Sequence, residues 1–177
     1  MQNLAKVRRS TSRLYPLAQQ FLLQRPYPPL PPLIICERVV IDTNVLVSIL
    51  VFDDPHHRPL REMWRNGRIA ALTTQECCSE LARVLRYPQF NLSADAVDAA
   101  YAEYIRHAVE MDALPCATLP KCSDADDQKF LELAYTADAA SLLTGDKALL
   151  ELRRKVRFRI ETPELFLQGM LKTATPS

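Results

Sequence analysis

The sequence predicts an α/β domain built on a parallel sheet, and three observations carry that expectation. From Glu37 onward, short apolar runs of strand type alternate with longer segments of helical period, the pattern of α/β folds. Two of those runs lead into an aspartate: Arg38–Ile41 into Asp42, and Ala140–Thr144 into Gly145-Asp146. Ligands of an open parallel sheet sit outside the carboxyl ends of its strands, so acids placed there mark a shared cleft. Finally, 177 residues with 48% apolar and 24% charged side chains suit one soluble globular domain with room for an appendage.

Strands are expected at Arg38–Ile41, Arg68–Leu72, Leu114–Leu119, Ala140–Thr144 and Arg157–Ile160. Between them lie helical segments. Asn44–Val51 comes first, then Arg58–Asn66, which Gly67 ends, and Thr74–Arg86, which Tyr87-Pro88 terminates. Ser93–Met111 carries a stripe of 3.6-residue period through Val97, Ala100, Tyr101, Tyr104, Ile105 and Ala108, read as core rather than as a base-stacking surface. Asp126–Thr136 and Lys147–Arg154 follow. Thr162-Pro163 reads as N-cap and first helical residue of a last helix, Glu164–Leu171.

Residues 1–36 stand apart from this alternation. They contain Lys6, Arg8, Arg9, Arg13 and Arg25 and no acid, and Pro26-Tyr-Pro-Pro-Leu-Pro-Pro32 closes them off, since such a run favours extended polyproline backbone. They read as a flexible, basic, proline-rich extension, with an organellar transit peptide as the other reading, and 37–177 as the folded domain. The net charge is +1, and removing those five cations from 22 leaves 17 bases against 21 acids, so 37–177 carries −4. Bulk charge therefore argues little for a polyanion partner, which would need local cations and a metal. Five cysteines without a C-x-x-C point to ordinary thiols in a reducing cytoplasm, and no apolar stretch approaches the ~20 residues of a membrane span.

The candidate site consists of Asp42, Glu80, Asp127 and Asp146. A helix cap accounts for Asp42 or Asp146 taken singly. Glu80 lies beside the apolar stripe of Cys77, Leu81, Val84 and Leu85, a costly place for a carboxylate that is neither paired nor metal-bound; an ion pair with Arg83 is the alternative. Glu76 is expected at the third position of a capping box begun by Thr73, and Asp126 at the same position after Ser123. Asp127 shares a helical face with Phe130, Leu131 and Ala134 and so faces the sheet, while Asp124 stays solvated. Gly145 is expected to let the backbone turn sharply before Asp146. Carboxylates gathered in this way repel one another unless a cation neutralises them, and oxygen-only ligands suit Mg²⁺ or Mn²⁺. Arg58, Arg61, Arg65 and Arg68 recur at helical spacing, as a solvated face or as a phosphate-holding one.

Asp42-Thr-Asn, Glu80 before Leu-Ala-Arg-Val-Leu, Asp126-Asp127-Gln-Lys-Phe-Leu-Glu-Leu-Ala134 and Thr144-Gly-Asp146 together resemble the PIN domain over about residues 37–171. The likeness is closest to toxins of toxin–antitoxin pairs related to VapC. It implies a three-layer α/β/α sandwich around a central, mainly parallel sheet. It implies a metal-dependent endoribonuclease using one or two Mg²⁺ or Mn²⁺ ions, an RNA substrate, a cognate antitoxin and a homodimer. Asp42, Glu80, Asp127 and Asp146 become the catalytic and metal-ligating quartet, with Asn44, Thr144 and Asp126 in support. Ala125 stands where relatives often carry proline, and 1–36 has no counterpart. Three rivals remain: a phosphatase of another α/β class, which would want an acid where Asn44 stands; a receiver domain, which would want an acid pair where Ile41-Asp42 offers one; and a catalytically silent PIN-fold interaction module.

Overall fold

The computed structural model describes residues 36–52 and 55–173, and for residue 173 the backbone alone. The extension expected at 1–36 lies, up to residue 35, outside the described residues. Five strands form one all-parallel sheet: β1 (Glu37–Ile41), β2 (Ile69–Thr73), β3 (Ala108–Glu110), β4 (Ser141–Leu143) and β5 (Arg159–Glu161). Their order is β3-β2-β1-β4-β5. From β1 the chain runs outward to β2 and β3, then returns to place β4 on the other side of β1. The strand order thus reverses between β1 and β4, and the crevice at their carboxyl ends is where such a sheet binds ligands.

Seven α-helices cover the sheet among the described residues: α1 (Thr43–Val51), α2 (Arg58–Arg65), α3 (Gln75–Val84), α4 (Ala94–His107), α5 (Gln128–Thr136), α6 (Lys147–Leu150) and α7 (Pro163–Thr173). Alternation along β1 separates two cores, because successive side chains of a strand face opposite ways. Val39 and Ile41 join α1, α2, α4 and Phe166 of α7 around Trp64 and Tyr104. Val40 joins Phe130, Leu131 and Ala134 of α5 with Leu149 of α6. Layers of helix, sheet and helix follow, as expected. Tyr104 is buried against Trp64, with ring centroids 5.5 Å apart, and Tyr101 packs on the same core, while Ile105 of the expected stripe is exposed.

Two helix ends were legible in the sequence. Gly67 adopts φ +74°, and Gly67 N–H and Arg68 N–H donate to the carbonyls of Trp64 and Met63, the paired bonds of a Schellman stop. Thr162 caps α7, its hydroxyl accepting from Leu165 N–H at 3.4 Å.

The third strand departs from expectation. It is Ala108–Glu110, directly at the end of α4, while Leu114–Leu119 is irregular. Pro115 removes a ladder donor from the expected run, whereas Ala108 turns extended (φ −78°, ψ 152°) and pairs with Ala71. Met111 N–H continues the ladder to the Thr73 carbonyl at 2.8 Å. Helical period alone carried the expected α4 four residues too far.

Candidate active site

Asp42 follows β1 directly and is 2% exposed. Its Oδ1 accepts from Asn44 N–H at 3.0 Å, which caps α1, and its Oδ2 accepts from the Thr144 hydroxyl at 2.6 Å. The Thr144 oxygen in turn accepts from Asp146 N–H at 2.9 Å. Asp146 caps α6 by accepting from Ala148 N–H at 2.6 Å. Both strand-end aspartates are therefore helix caps, and both also stand at the reversal point of the sheet. Capping fixes the carboxylate's orientation and consumes one lone pair, so it does not compete with ligand binding.

The third acid comes from the other side. α5 begins at Gln128, two residues later than expected, and Asp127 occupies its N-cap position without a side-chain cap bond. It nevertheless holds helical dihedrals (φ −86°, ψ −11°), so its phase with buried Phe130, Leu131 and Ala134 survives. Burial pushes the Asp127 carboxyl up to about 6, helped by the charges of Asp42, Asp124 and Asp146 and opposed by Lys129. Burial likewise raises Asp42, with the Thr144 and Asn44 bonds opposing and Glu80 and Asp146 adding repulsion. Asp42 thus shares a field with all three other members of the quartet.

Glu80 is half-buried on α3 and accepts from the Thr43 hydroxyl at 3.0 Å. Its nearest cation is Lys129, whose Nζ lies 3.1 Å from Oε2, while the expected partner Arg83 reaches only 4.0 Å. Lys129 also donates to the Asp126 carbonyl at 2.6 Å and sits 5.0 Å from the Phe130 ring centroid. Thr43 and Lys129 are the residues that sequence reading missed. Lys129 lies two positions from Asp127 in the first turn of α5, a spacing that gives no sign of a contact with α3.

Several expectations need correction. Thr74, not Thr73, caps α3, accepting from Cys77 N–H at 3.2 Å; Thr73 ends β2 in the core, so Glu76 falls one place short of the capping-box position and is exposed. No box forms at Ser123 either. Asp126 N–H donates to Asp124 Oδ1 at 3.0 Å, and the Asp126 side chain is exposed. The Asn44 side chain is exposed and contributes its backbone N–H alone. The turn before Asp146 does not require glycine, because a Cβ on Gly145 would meet nothing within 4 Å and its φ is not left-handed. Arg61 and Arg65 are not a phosphate face: both converge on Glu103 of α4, at 2.6 and 2.8 Å.

The donor set fits a hard divalent cation in its chemistry, being carboxylates whose mutual repulsion asks for positive charge. In their present rotamers no three His, Cys, Asp or Glu side chains, among the described residues, are set to hold one ion. Lys129 supplies the positive charge nearest to Glu80.

The PIN domain family model matches residues 38–148, more than half the chain and all four acids. The chain belongs to the PIN domain family. The uncharacterized protein MJ1680 of Methanocaldococcus jannaschii is 24% identical over 146 residues, spanning 76% of this chain and 92% of that protein. The crystal structure of PAE2754 from Pyrobaculum aerophilum matches 77% of this chain and 98% of its own, with TM-score 0.53 and 12% identity, a likeness of fold. PIN domains are generally nucleases and typically use divalent metals, so this PIN domain has a nuclease-type fold. No helix among the described residues is long and apolar enough to cross a membrane.

Proposed function

We propose that this PIN domain protein is a Mg²⁺- or Mn²⁺-dependent endoribonuclease, acting in the cytoplasm as the toxin of a toxin–antitoxin pair. The observation that carries the reading is the gathering of Asp42, Asp127 and Asp146 at the reversal point, where burial, with repulsion added, holds Asp127 at about 6. A protein gains nothing in stability from such a grouping, so the reading assigns it to ligand binding.

In this reading Asp42, Asp127, Asp146 and Glu80 hold the cation. Asp42 is oriented by Asn44 N–H and the Thr144 hydroxyl, and each of its oxygens keeps a further lone pair. Asp146 commits Oδ1 to Ala148 and retains Oδ2. Asp127 makes no side-chain hydrogen bond among the described residues and offers both oxygens. Glu80 joins once its carboxylate turns from Lys129, which then faces the same cleft. When bound, the divalent ion supplies Lewis-acid charge that lowers the pKa of an attacking water and neutralises the phosphate. One or two ions, a homodimer and a small antitoxin that blocks the cleft complete the proposal.

The deciding experiment is cleavage of RNA by the full chain with Mn²⁺, with Mg²⁺ and with EDTA, for wild type and Asp42→Asn. Cleavage only by wild type with metal supports the reading, and cleavage undiminished in EDTA contradicts it. A catalytically silent interaction module is the second reading, favoured by the Lys129–Glu80 pair, and folded wild type inert with either ion would select it. Slowed growth on expression, relieved by Asp42→Asn and by co-expression of a small partner, tests the toxin role.

A further inference from the structure

Several cations of the domain are held in ion pairs. Arg61 and Arg65 hold Glu103, Arg157 meets Asp138, Arg159 bridges Glu37 and Glu161, and Lys129 and Arg83 attend Glu80. One group differs. Lys147, Arg153 and Arg154 line a cleft of about 380 Å³ on α6 and the turn after it, together with Leu150 and Glu151. All three cations are exposed, and none makes an ion pair with an acid among the described residues. In a stretch, 37–177, that carries −4 overall, three unpaired cations against one acid form a local positive field.

The cleft is fixed relative to the acids. Lys147 follows Asp146 in the chain, and Asp146 holds the start of α6 twice, through Oδ1 to Ala148 N–H at 2.6 Å and through its carbonyl to Leu150 N–H at 3.0 Å. Glu151 N–H to the Lys147 carbonyl at 3.0 Å and Arg153 N–H to the Leu150 carbonyl at 3.3 Å carry the same coil onward. A strand whose scissile phosphate lies at Asp146 can therefore lay its adjoining phosphates along Lys147, Arg154 and Arg153. The lining contains no aromatic ring for bases to stack on, and its three cations suit the charge of the sugar–phosphate backbone.

We infer that Lys147, Arg153 and Arg154 form the phosphate-binding track of this protein, holding the sugar–phosphate backbone of a single-stranded nucleic acid next to the acidic cluster. The inference rests on the nuclease reading above and names its substrate subsite. Recognition there is sequence-tolerant, and Glu151 opposes it.

The test is binding of a labelled single-stranded RNA to the full chain in EDTA, where no metal-dependent cleavage competes, across a series of salt concentrations. The variants are the triple Lys147→Gln/Arg153→Gln/Arg154→Gln, Glu151→Gln and, as control, Arg106→Gln on α4, with thermal midpoints to show that each is folded. Each single-strand phosphate contact contributes about 0.7 to the slope of log K against log salt, so the triple variant should flatten it by about 2 and bind at least about tenfold more weakly at low salt. Glu151→Gln should tighten binding several-fold, an outcome that a structural role for α6 would not give. DNA of the same sequence should respond alike, and a loss confined to RNA would move the contacts to the 2′-hydroxyl and overturn the phosphate assignment. A triple variant with the wild-type slope, or no more affected than Arg106→Gln, overturns the track itself. Cleavage of the same RNA with Mn²⁺ separates the two claims: wild type and Arg106→Gln should both cut it. If neither cleaves it, the nuclease reading fails, while the salt slopes still judge the track.

Discussion

The Thr144 hydroxyl donates a 2.6 Å hydrogen bond to Asp42 Oδ2 across 102 positions of chain, and its oxygen accepts the Asp146 N–H. One fully buried threonine on the β4 side thus orients the acid that follows β1 and the backbone of the acid that follows β4. Thr144→Val keeps the shape and removes both bonds, leaving a buried carboxylate oxygen and a peptide N–H unsatisfied. The expected cost is about 1–3 kcal/mol in chemical denaturation, and Thr144→Ser should restore most of it. The same change should raise the Asp42 carboxyl further, because the Thr144 bond is the strongest influence holding it down.

Asp127 makes stability depend on pH in an unusual direction for an acid. Its folded value is about 6, above the ordinary 3.8, so between those values the folded state binds more protons than the unfolded one. Stability from this group is present below pH ~4 and is lost as pH rises towards ~6. The rise from 3.8 to about 6 corresponds to about 3 kcal/mol at most, and solvent screening of this half-buried carboxyl reduces that to roughly 1 kcal/mol. Thermal unfolding of wild type and Asp127→Asn at pH 4, 5, 6 and 7 checks it. The variant should be the more stable at pH 7, and the gap should close towards pH 4.

Lys129→Met retains the side chain over Phe130 and removes the cation next to Glu80. Both partners reach solvent, so the loss should be about 1–2 kcal/mol, below that of a fully buried pair. Because the Lys129 charge opposes the rise at Asp127, the variant's Asp127 should titrate above 6, as read by NMR of the carboxyl carbon. An unchanged titration would place Lys129 outside the field of the cluster.

The adjacent acids Asp126 and Asp127 should separate cleanly. Asp126 is exposed, and its carbonyl rather than its carboxylate makes a contact. Asp126→Asn and Glu76→Gln should therefore leave melting temperature and RNA cleavage near wild type. Asp127→Asn and Glu80→Gln should reduce cleavage by orders of magnitude while remaining folded. An inactive Asp126→Asn beside an active Asp127→Asn would reverse the assignment.

What the sequence disclosed follows from the range of the forces involved. Strand-type runs before Asp42 and Asp146 and the α5 face of Phe130, Leu131 and Ala134 are local periodicities, and they placed the sheet centre and the inward phase of Asp127. The Gly67 stop and the Thr162 cap are likewise local. Elements set by proline or by competition between neighbours were misplaced: β3 lies before Pro115 rather than across it, and the cap of α3 is Thr74 rather than Thr73. Contacts between distant segments left no trace, as with Lys129 and Thr43 on Glu80, or Arg61 and Arg65 on Glu103. Periodicity names the face of a helix but not the residue it meets.

The central claim is that Asp42, Asp127 and Asp146, with Glu80, form one cation site. Mn²⁺ titration by calorimetry at pH 7 tests it most directly, using wild type, Asp42→Asn, Asp127→Asn and the exposed control Asp126→Asn. The account predicts saturable binding by wild type and Asp126→Asn, loss or at least tenfold weakening in Asp42→Asn and Asp127→Asn, and a Mn²⁺-dependent rise in thermal midpoint confined to the proteins that bind. Folded wild type that takes up no Mn²⁺, or Asp42→Asn that binds it as wild type does, would contradict the account.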